Sequence, residues 1–424
     1  MKRTAGRAIA GTTPRTPLQG QMWGGLIVGG GRPDLTPRST VLAFHLTHVR
    51  YSQTKMAPRP TGRRADAPVI ASRPQPLVRD YSRAAAPPYT VEFDLRTTYD
   101  FVFSLSDDAG STEDLPEADR RWLAAAKATL PETVASDFKT LFASELAVIV
   151  AGLAVDRPDV TSAAGLLELV RASEPDMISR LMFAEATRDP EQRPLVERAT
   201  AGDAEAIAEL TCDYPDLKRD VMVRFVTDPP AMKKALAGVL QTWLPHFQEI
   251  EHRVKEILDR DVEMRGSDIR RLAPVDLVEK TTGGLRYVSE RGVRRVILAP
   301  SYFARPYNMV LSADDWRLFG YPVADAAIAG DDALAPPQSV LRLHRALGDD
   351  TRLRILKLLT DGDRYLTEIA SQLELSKPTI KHHLALLRSA GLVTVTEEGG
   401  MTYYSLRRAR LDDASVELKR FLVT

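Results

Sequence analysis

Lys377, Thr379, Lys381 and His382 fall within six consecutive positions of the segment SKPTIKHHLALLRSAGL, residues 376–392. Lysine and histidine can donate to a phosphate or to guanine, and threonine can meet a phosphate or a thymine methyl, so this set suits the charged backbone and base edges of a duplex. At about 100° per residue, Ile380, Leu384 and Leu387 share one narrow arc of a helix, whereas Lys381, His382 and Ala385 lie opposite. His383 borders the apolar arc and reads as a packed, hydrogen-bonded histidine. His382 is the one that faces a ligand. Arg407 and Arg408, in MTYYSLRR, are phosphate candidates against the plainer reading of solvated surface arginines.

Other chemistries find little support. The chain has no GxxxxGK[ST] phosphate loop, no GxSxG elbow and no HExxH pair, and the single cysteine, Cys212, has no histidine close by in sequence. One cysteine forms neither an internal disulfide nor a thiolate cluster, which fits a reducing cytoplasm. His246 and His252 are about 240° apart on a helix and cannot chelate one ion together. Glu249 with His252 could, but this spacing more often makes a surface pair. No catalytic residue, cofactor or metal is therefore expected. The alternative of an enzyme or ligand-binding protein with an accessory DNA-binding segment rests on Tyr302, Phe303, Tyr307 and Trp316, aromatics that could line a small-molecule pocket or simply fill a core.

The elements that position the donors are legible from punctuation and period. Ser339 can cap a helix carrying Val340, Leu343 and Leu347 and stopped by Gly348. TRLRILKLLTDG gives a second helix, and LTEIASQLEL a third with Ile369, Ala370 and Leu373 on one face. A tight turn then leads to a fourth, capped by Ser376, with Pro378 in its first turn and Gly391 at its end. LVTVT, an EEGG loop and MTYYSLRR alternate as a hairpin. Helix, helix, helix-turn-helix and hairpin in this order is the winged-helix arrangement.

The runs LHRALGDDTRLRILKLLTDG and LTEIASQLELSKPTIKHHLALLRSAGLV, with the Tyr403-containing hairpin, resemble the arsenical-resistance-repressor (ArsR) family of bacterial transcriptional regulators. The resemblance covers about 80 residues, and its most diagnostic pieces are Thr351–Leu356 and His382–Val393. Asp350 stands where the family often has proline, which bears only on how the second helix starts. The resemblance implies a DNA-binding regulator, by default a repressor. Family members often sense metals, but LTEIASQLEL has no cysteine and LDDASVELKRFL no histidine, so the usual metal sites are absent. The helical region before it resembles a large subgroup of such regulators that carries an additional amino-terminal domain.

The rest of the chain is organised around this segment. Residues 1–88 hold 11 Pro and 9 Gly, no sustained period and a net charge of +11, and are expected to be a disordered basic extension, with Met22 and Met56 as alternative starts. An organellar transit peptide or a nucleic-acid-binding arm is the alternative. Residues 89–330 read as a helical domain of seven or eight helices for dimerisation or effector sensing. The strands at Val91–Leu95, Tyr287–Val288, Val293–Leu298 and Tyr307–Leu311 are expected to form one small antiparallel sheet within it. Residues 331–338, with Pro336-Pro337, form a linker, and 339–424 the winged helix-turn-helix. The net charge is −14 over 89–335 and +3 over 336–424, so the neutral total says nothing against nucleic-acid binding. The longest apolar stretch, Leu146–Val155, is about half a membrane span. The expected fold is mainly α with small β. The expected function is a cytoplasmic transcriptional regulator that binds double-stranded DNA as a homodimer. Leu418, Phe421 and Leu422 offer a partner face, and an unidentified small-molecule effector would sit near Tyr302–Trp316 and act through the stiff linker.

Overall fold

The computed structural model describes residues 89–424 apart from 107–113, 143–145, 184–186, 188–191, 213, 215, 329–335, 399–400 and 424. The expectations for residues 1–88, and for most of the 331–338 linker, lie outside the described residues. The described chain is mainly helical, with some strands and a helix-turn-helix near its carboxy end.

Helices Thr97–Phe103, Glu117–Ala128 and Glu132–Phe142 lead through a 3-10 helix, Leu146–Ala154, to Ala163–Ala172 and Pro175–Leu181. Arg193–Thr200, Ala204–Thr211 and Asp216–Thr227 follow, and then the 36-residue helix Pro229–Met264. Asp228 caps the long helix by accepting from Ala231 N at 3.2 Å, and the two prolines in its first turn sit where an amide would have no helical partner anyway. Its buried face runs Leu236, Val239, Leu240, Trp243 and Phe247. Each of these large side chains stabilises by about 1.5–3 kcal/mol through removal from water. Trp243 satisfies its one polar atom by donating Nε1 to Ser104 Oγ at 2.8 Å.

Seven strands occur among the described residues: β1 (Thr90–Phe93), β2 (Leu285–Ser289), β3 (Arg295–Ser301), β4 (Met309–Ser312), β5 (Trp316–Pro322), β6 (Val393–Glu398) and β7 (Met401–Leu406). They form two sheets, ordered β1-β3-β5-β4 and β2-β6-β7. The single antiparallel sheet expected from sequence is corrected on two counts. β1, β3 and β5 run parallel, and only β4 joins antiparallel, as an edge. The physical reason is connection length, because the whole helical bundle lies between β1 and β3 and serves as the crossover a parallel pair requires. β2 does not join this sheet at all. It leaves to pair in parallel with β6, Leu285 opposite Val395 and Ser289 opposite Glu398.

That pairing ties the helix-turn-helix to the region before it. Leu285, Tyr287, Phe319 and Tyr321 share one buried cluster with Val395, and Tyr404 packs against it. A polar joint reinforces the contact on another side. Arg305 donates to Asp114 O at 3.1 Å and to Val323 O and Asp325, while Arg342 pairs with Asp114 and Asp325. Burial pushes the Asp325 carboxyl up, but the Arg342 and Arg305 charges beside it hold it below the usual carboxylate range. Asp325 also accepts from Ser339 N at 2.6 Å. Ser339 is therefore not the cap expected from sequence: the helix is Gln338–Leu347, begun at Pro337, and a carboxylate from outside satisfies its first turn.

Candidate nucleic-acid interface

Helix Asp350–Leu359 is capped by Asp349, whose carboxylate accepts from Arg352 N at 2.9 Å. Helix Leu366–Leu373 ends at Glu374 in the left-handed region (φ 56°), which turns the chain sharply into helix Lys377–Ser389. Ser376 Oγ accepts from Thr379 N at 3.2 Å, and Pro378 lies in the first turn, as the cap pattern implies. Ile380, Leu384 and Leu387 are buried in one cluster with Ile355, Ile369 and Leu392. The apolar arc read from sequence is the arc that packs.

The hairpin β6–β7 follows directly and is held to the helices by named contacts. Tyr365 and Tyr403 lie with rings 4.5 Å apart and hydroxyls 2.7 Å apart, and Ser405 Oγ donates to Asp363 at 2.6 Å. Backbone hydrogen bonds join Arg364 and Tyr404 in both directions. The edge of β7 is thereby joined to Arg364, and that of β6 to β2.

The candidate residues separate into three groups. Lys377 and Thr379 are exposed at the amino end of helix Lys377–Ser389, with the Thr379 hydroxyl 2.7 Å from Ser376 Oγ. This end carries the positive pole of the helix dipole, a setting that favours an anion. Lys381 and His382 follow one turn later and are half-buried. Arg408 stands apart, exposed, donating Nη2 to Thr360 O at 3.0 Å. Arg407 is brought to neither place: it is half-buried and donates Nη1 to Gly283 O at 3.1 Å and Gly391 O at 3.3 Å.

His383 is half-buried like its neighbours, with its side chain 15% exposed, and it lacks the hydrogen bond expected of it. Its buried Nδ1 has no hydrogen-bond partner, and Asp349 Oδ1 is 3.6 Å away, beyond hydrogen-bond reach. Burial, with Arg352 and His382 nearby, holds its pKa below the ordinary histidine value, and Asp349 works against that shift. The aromatics expected around a ligand are core: Tyr302, Phe303, Tyr307 and Trp316 are all buried, and the rings of Tyr302 and Phe303 meet edge-on at 5.1 Å. A cleft of about 450 Å³ lies elsewhere, between β1, β3 and the end of the 3-10 helix. Its charged residues are already paired, Arg295 with Glu92 and Asp156, and Arg96 with Asp94. Among the described residues no three histidine, cysteine, aspartate or glutamate side chains converge as a metal site.

The sequence pattern described as "Bacterial regulatory protein, arsR family" matches residues 349–395. Over 80 residues the chain is 42% identical to the HTH-type transcriptional regulator CmtR of Mycobacterium tuberculosis (strain ATCC 25618 / H37Rv), covering 19% of this chain and 68% of that protein. It is 40% identical over 72 residues to the transcriptional repressor SdpR of Bacillus subtilis (strain 168), covering 17% and 80%. The transcriptional activator HlyU of Vibrio cholerae is 37% identical over 76 residues, covering 18% and 69%. A solved structure of HlyU from Vibrio cholerae N16961 is similar at 31% identity over 20% of this chain and 95% of that one, with a TM-score of 0.17. Since CmtR and SdpR are matched at 42% and 40% identity over 68% and 80% of their own length, and the family pattern falls on residues 349–395, the chain belongs to the ArsR family of bacterial regulatory proteins.

Proposed function

We propose that this chain is a sequence-specific DNA-binding transcriptional regulator that acts as a homodimer on a pseudo-palindromic operator. Lys377–Ser389 is its recognition helix and β6–β7 its wing. The observation that carries this reading is the exposed amino end of that helix, where Lys377 and Thr379 stand clear over a packed arc of Ile380, Leu384 and Leu387. Repression is the reading the family favours, although SdpR is named a repressor and HlyU an activator. Residues 89–330 are proposed to house dimerisation or effector sensing. Among the described residues no helix is long and apolar enough to cross a membrane.

The test is selection of bound duplexes from a random library with the full chain, followed by titration of the best site. Lys381→Ala with His382→Ala should weaken binding at least about tenfold, at roughly 1–3 kcal/mol per good base contact. Unchanged affinity for the selected site would refute the assignment of these side chains, and failure to enrich any site would refute the function.

A further inference from the structure

Three consecutive carbonyls precede β2, and each is held by a different part of the molecule. Asn308, buried ahead of β4, donates Nδ2 to Thr282 O at 2.9 Å. Arg407 donates Nη1 to Gly283 O at 3.1 Å, and the Val395 amide donates to Gly284 O at 2.7 Å. The same Nη1 reaches Gly391 O at 3.3 Å, at the left-handed residue (φ 72°) that ends helix Lys377–Ser389. Neither glycine can be exchanged freely. Gly284 has φ 125°, and a Cβ there would stand 2.9 Å from Val393 O; a Cβ on Gly391 would stand 3.4 Å from Arg407 Nη1. The Arg407 side chain thus lies across two bare backbones that are distant in sequence, one before β2 and one at the helix end.

The chemistry of the group suits this place. A guanidinium keeps its charge and offers several donors in a fixed plane, so it can bridge two carbonyls with one geometry. At the carboxy end of a helix its charge also faces the negative pole of the dipole. Arg410 adds to this by donating Nε to Ala390 O at 3.3 Å. The helix spans 13 residues, about 20 Å, so a tilt of about 10° at this end would swing the Lys377 end by about 3 Å. That displacement exceeds what a hydrogen bond tolerates.

We propose that Arg407 is a positioning residue and not a DNA contact: it locks the carboxy-terminal cap of the recognition helix to the Gly283–Gly284 turn, so that the preceding region sets the angle at which the helix meets DNA. This rests on the reading of Lys377–Ser389 as the recognition helix. It also moves the route of coupling from the proline linker to the β2 turn.

Salt dependence separates the two roles, because a phosphate contact releases counterions and a positioning residue does not. Full-length chains carrying Arg407→Gln, Arg407→Lys or Lys377→Ala would be titrated with the selected duplex across a range of salt. Arg407→Gln should bind about tenfold more weakly with an unchanged slope of log affinity against log salt, and Arg407→Lys should recover most of the loss. Lys377→Ala should flatten the slope by about one. Hydrogen exchange on the DNA-free proteins is the second readout, and the Val395 amide should exchange at least tenfold faster in Arg407→Gln than in the parent. A slope flattened by about one in Arg407→Gln, or an affinity that is unchanged or improved, would overturn the proposal. If Arg407→Gln does not fold, Asn308→Ala loosens the same turn without touching the DNA-facing side and carries the same expectations. If the parent chain binds no duplex, the DNA-binding reading falls by itself, and unchanged Val395 exchange would separately overturn the clamp.

Discussion

Asp100 is fully buried on helix Thr97–Phe103, where its carboxylate accepts from Ser301 Oγ, from Tyr302 N at 2.9 Å and from Phe303 N at 3.1 Å. Burial pushes its pKa up to about 6 in spite of those donors. The folded state therefore holds this proton more tightly than the unfolded chain does. The stability it contributes is complete below about pH 4 and is lost as pH rises through about 6, on the order of 2–3 kcal/mol. Urea unfolding of the parent and of Asp100→Asn at pH 4.5 and 7.5 checks this. The parent should lose stability relative to the variant as pH rises, and a difference that stays constant would show that Asp100 is ionised throughout. At the same scale the sequence was an uneven guide. Helical angle sets His383 beside the apolar arc and His382 away from it, whereas in the structure both are half-buried. The place of Arg407 was out of reach, since its partner Gly283 is 124 positions away and nothing near Arg407 announces it. The TTGG run at 281–284 was the available signal, as two glycines before a strand suggest a close backbone approach.

Elements defined by local punctuation were the ones best read. Ser376, Pro378 and Gly391 bound the second helix of the helix-turn-helix, and the bounds found, Lys377–Ser389, follow them closely. β5 was missed because six of its seven residues are buried, and a strand covered on both faces shows no alternation. Its Trp316, which the sequence leaves open between a pocket and the core, is buried. The partner of β2 was equally unreadable, since strand pairing across more than 100 residues leaves no local trace. This pairing makes a prediction about separability. A fragment of residues 336–424 would strip β6 of β2 and bare the faces of Val395 and Tyr404 that now lie in a shared cluster. Losing burial of large apolar side chains at about 1.5–3 kcal/mol each is a severe cost for a segment of this size. The fragment should melt well below the full chain, and its Val395 amide should exchange without the protection that Gly284 O confers. A fragment as stable as the parent, with Val395 still protected, would show that the helix-turn-helix needs nothing from β2.

For the whole molecule, the division of charge along the chain and the exposed apolar surface each bear on how DNA would be bound. The net charge over residues 89–335 is −14, so under the proposed function that region would repel duplex DNA and leave the segment with Lys377 and Lys381 as the attractive one. A single recognition helix reads too few base pairs for specificity, which makes a twofold pair about one DNA turn apart the economical solution. We propose the terminal helix Arg408–Val423 as the surface for such a pair. Leu411 (38% exposed) and Leu422 (70% exposed) share one face with half-buried Leu418 and Phe421. Val416 and Val423 are exposed on a second face. Leu411 and Leu422, about three turns apart on the face that also carries Leu418, are apolar side chains open enough to serve a protein contact. Covering Leu411 and Leu422 on both copies would stabilise the pair by several kcal/mol at about 1.5–3 kcal/mol each, before the cost of association. Leu411→Glu with Leu422→Glu places charges on that face without touching the recognition helix or the β2 turn. Sedimentation should show the parent as a dimer at micromolar concentration and the variant as a monomer. The variant should also bind the selected palindrome with its affinity reduced to that for an isolated half-site. A parent that sediments as a monomer both free and on DNA would end the dimer proposal, and a double variant that stays dimeric would place the interface on another face.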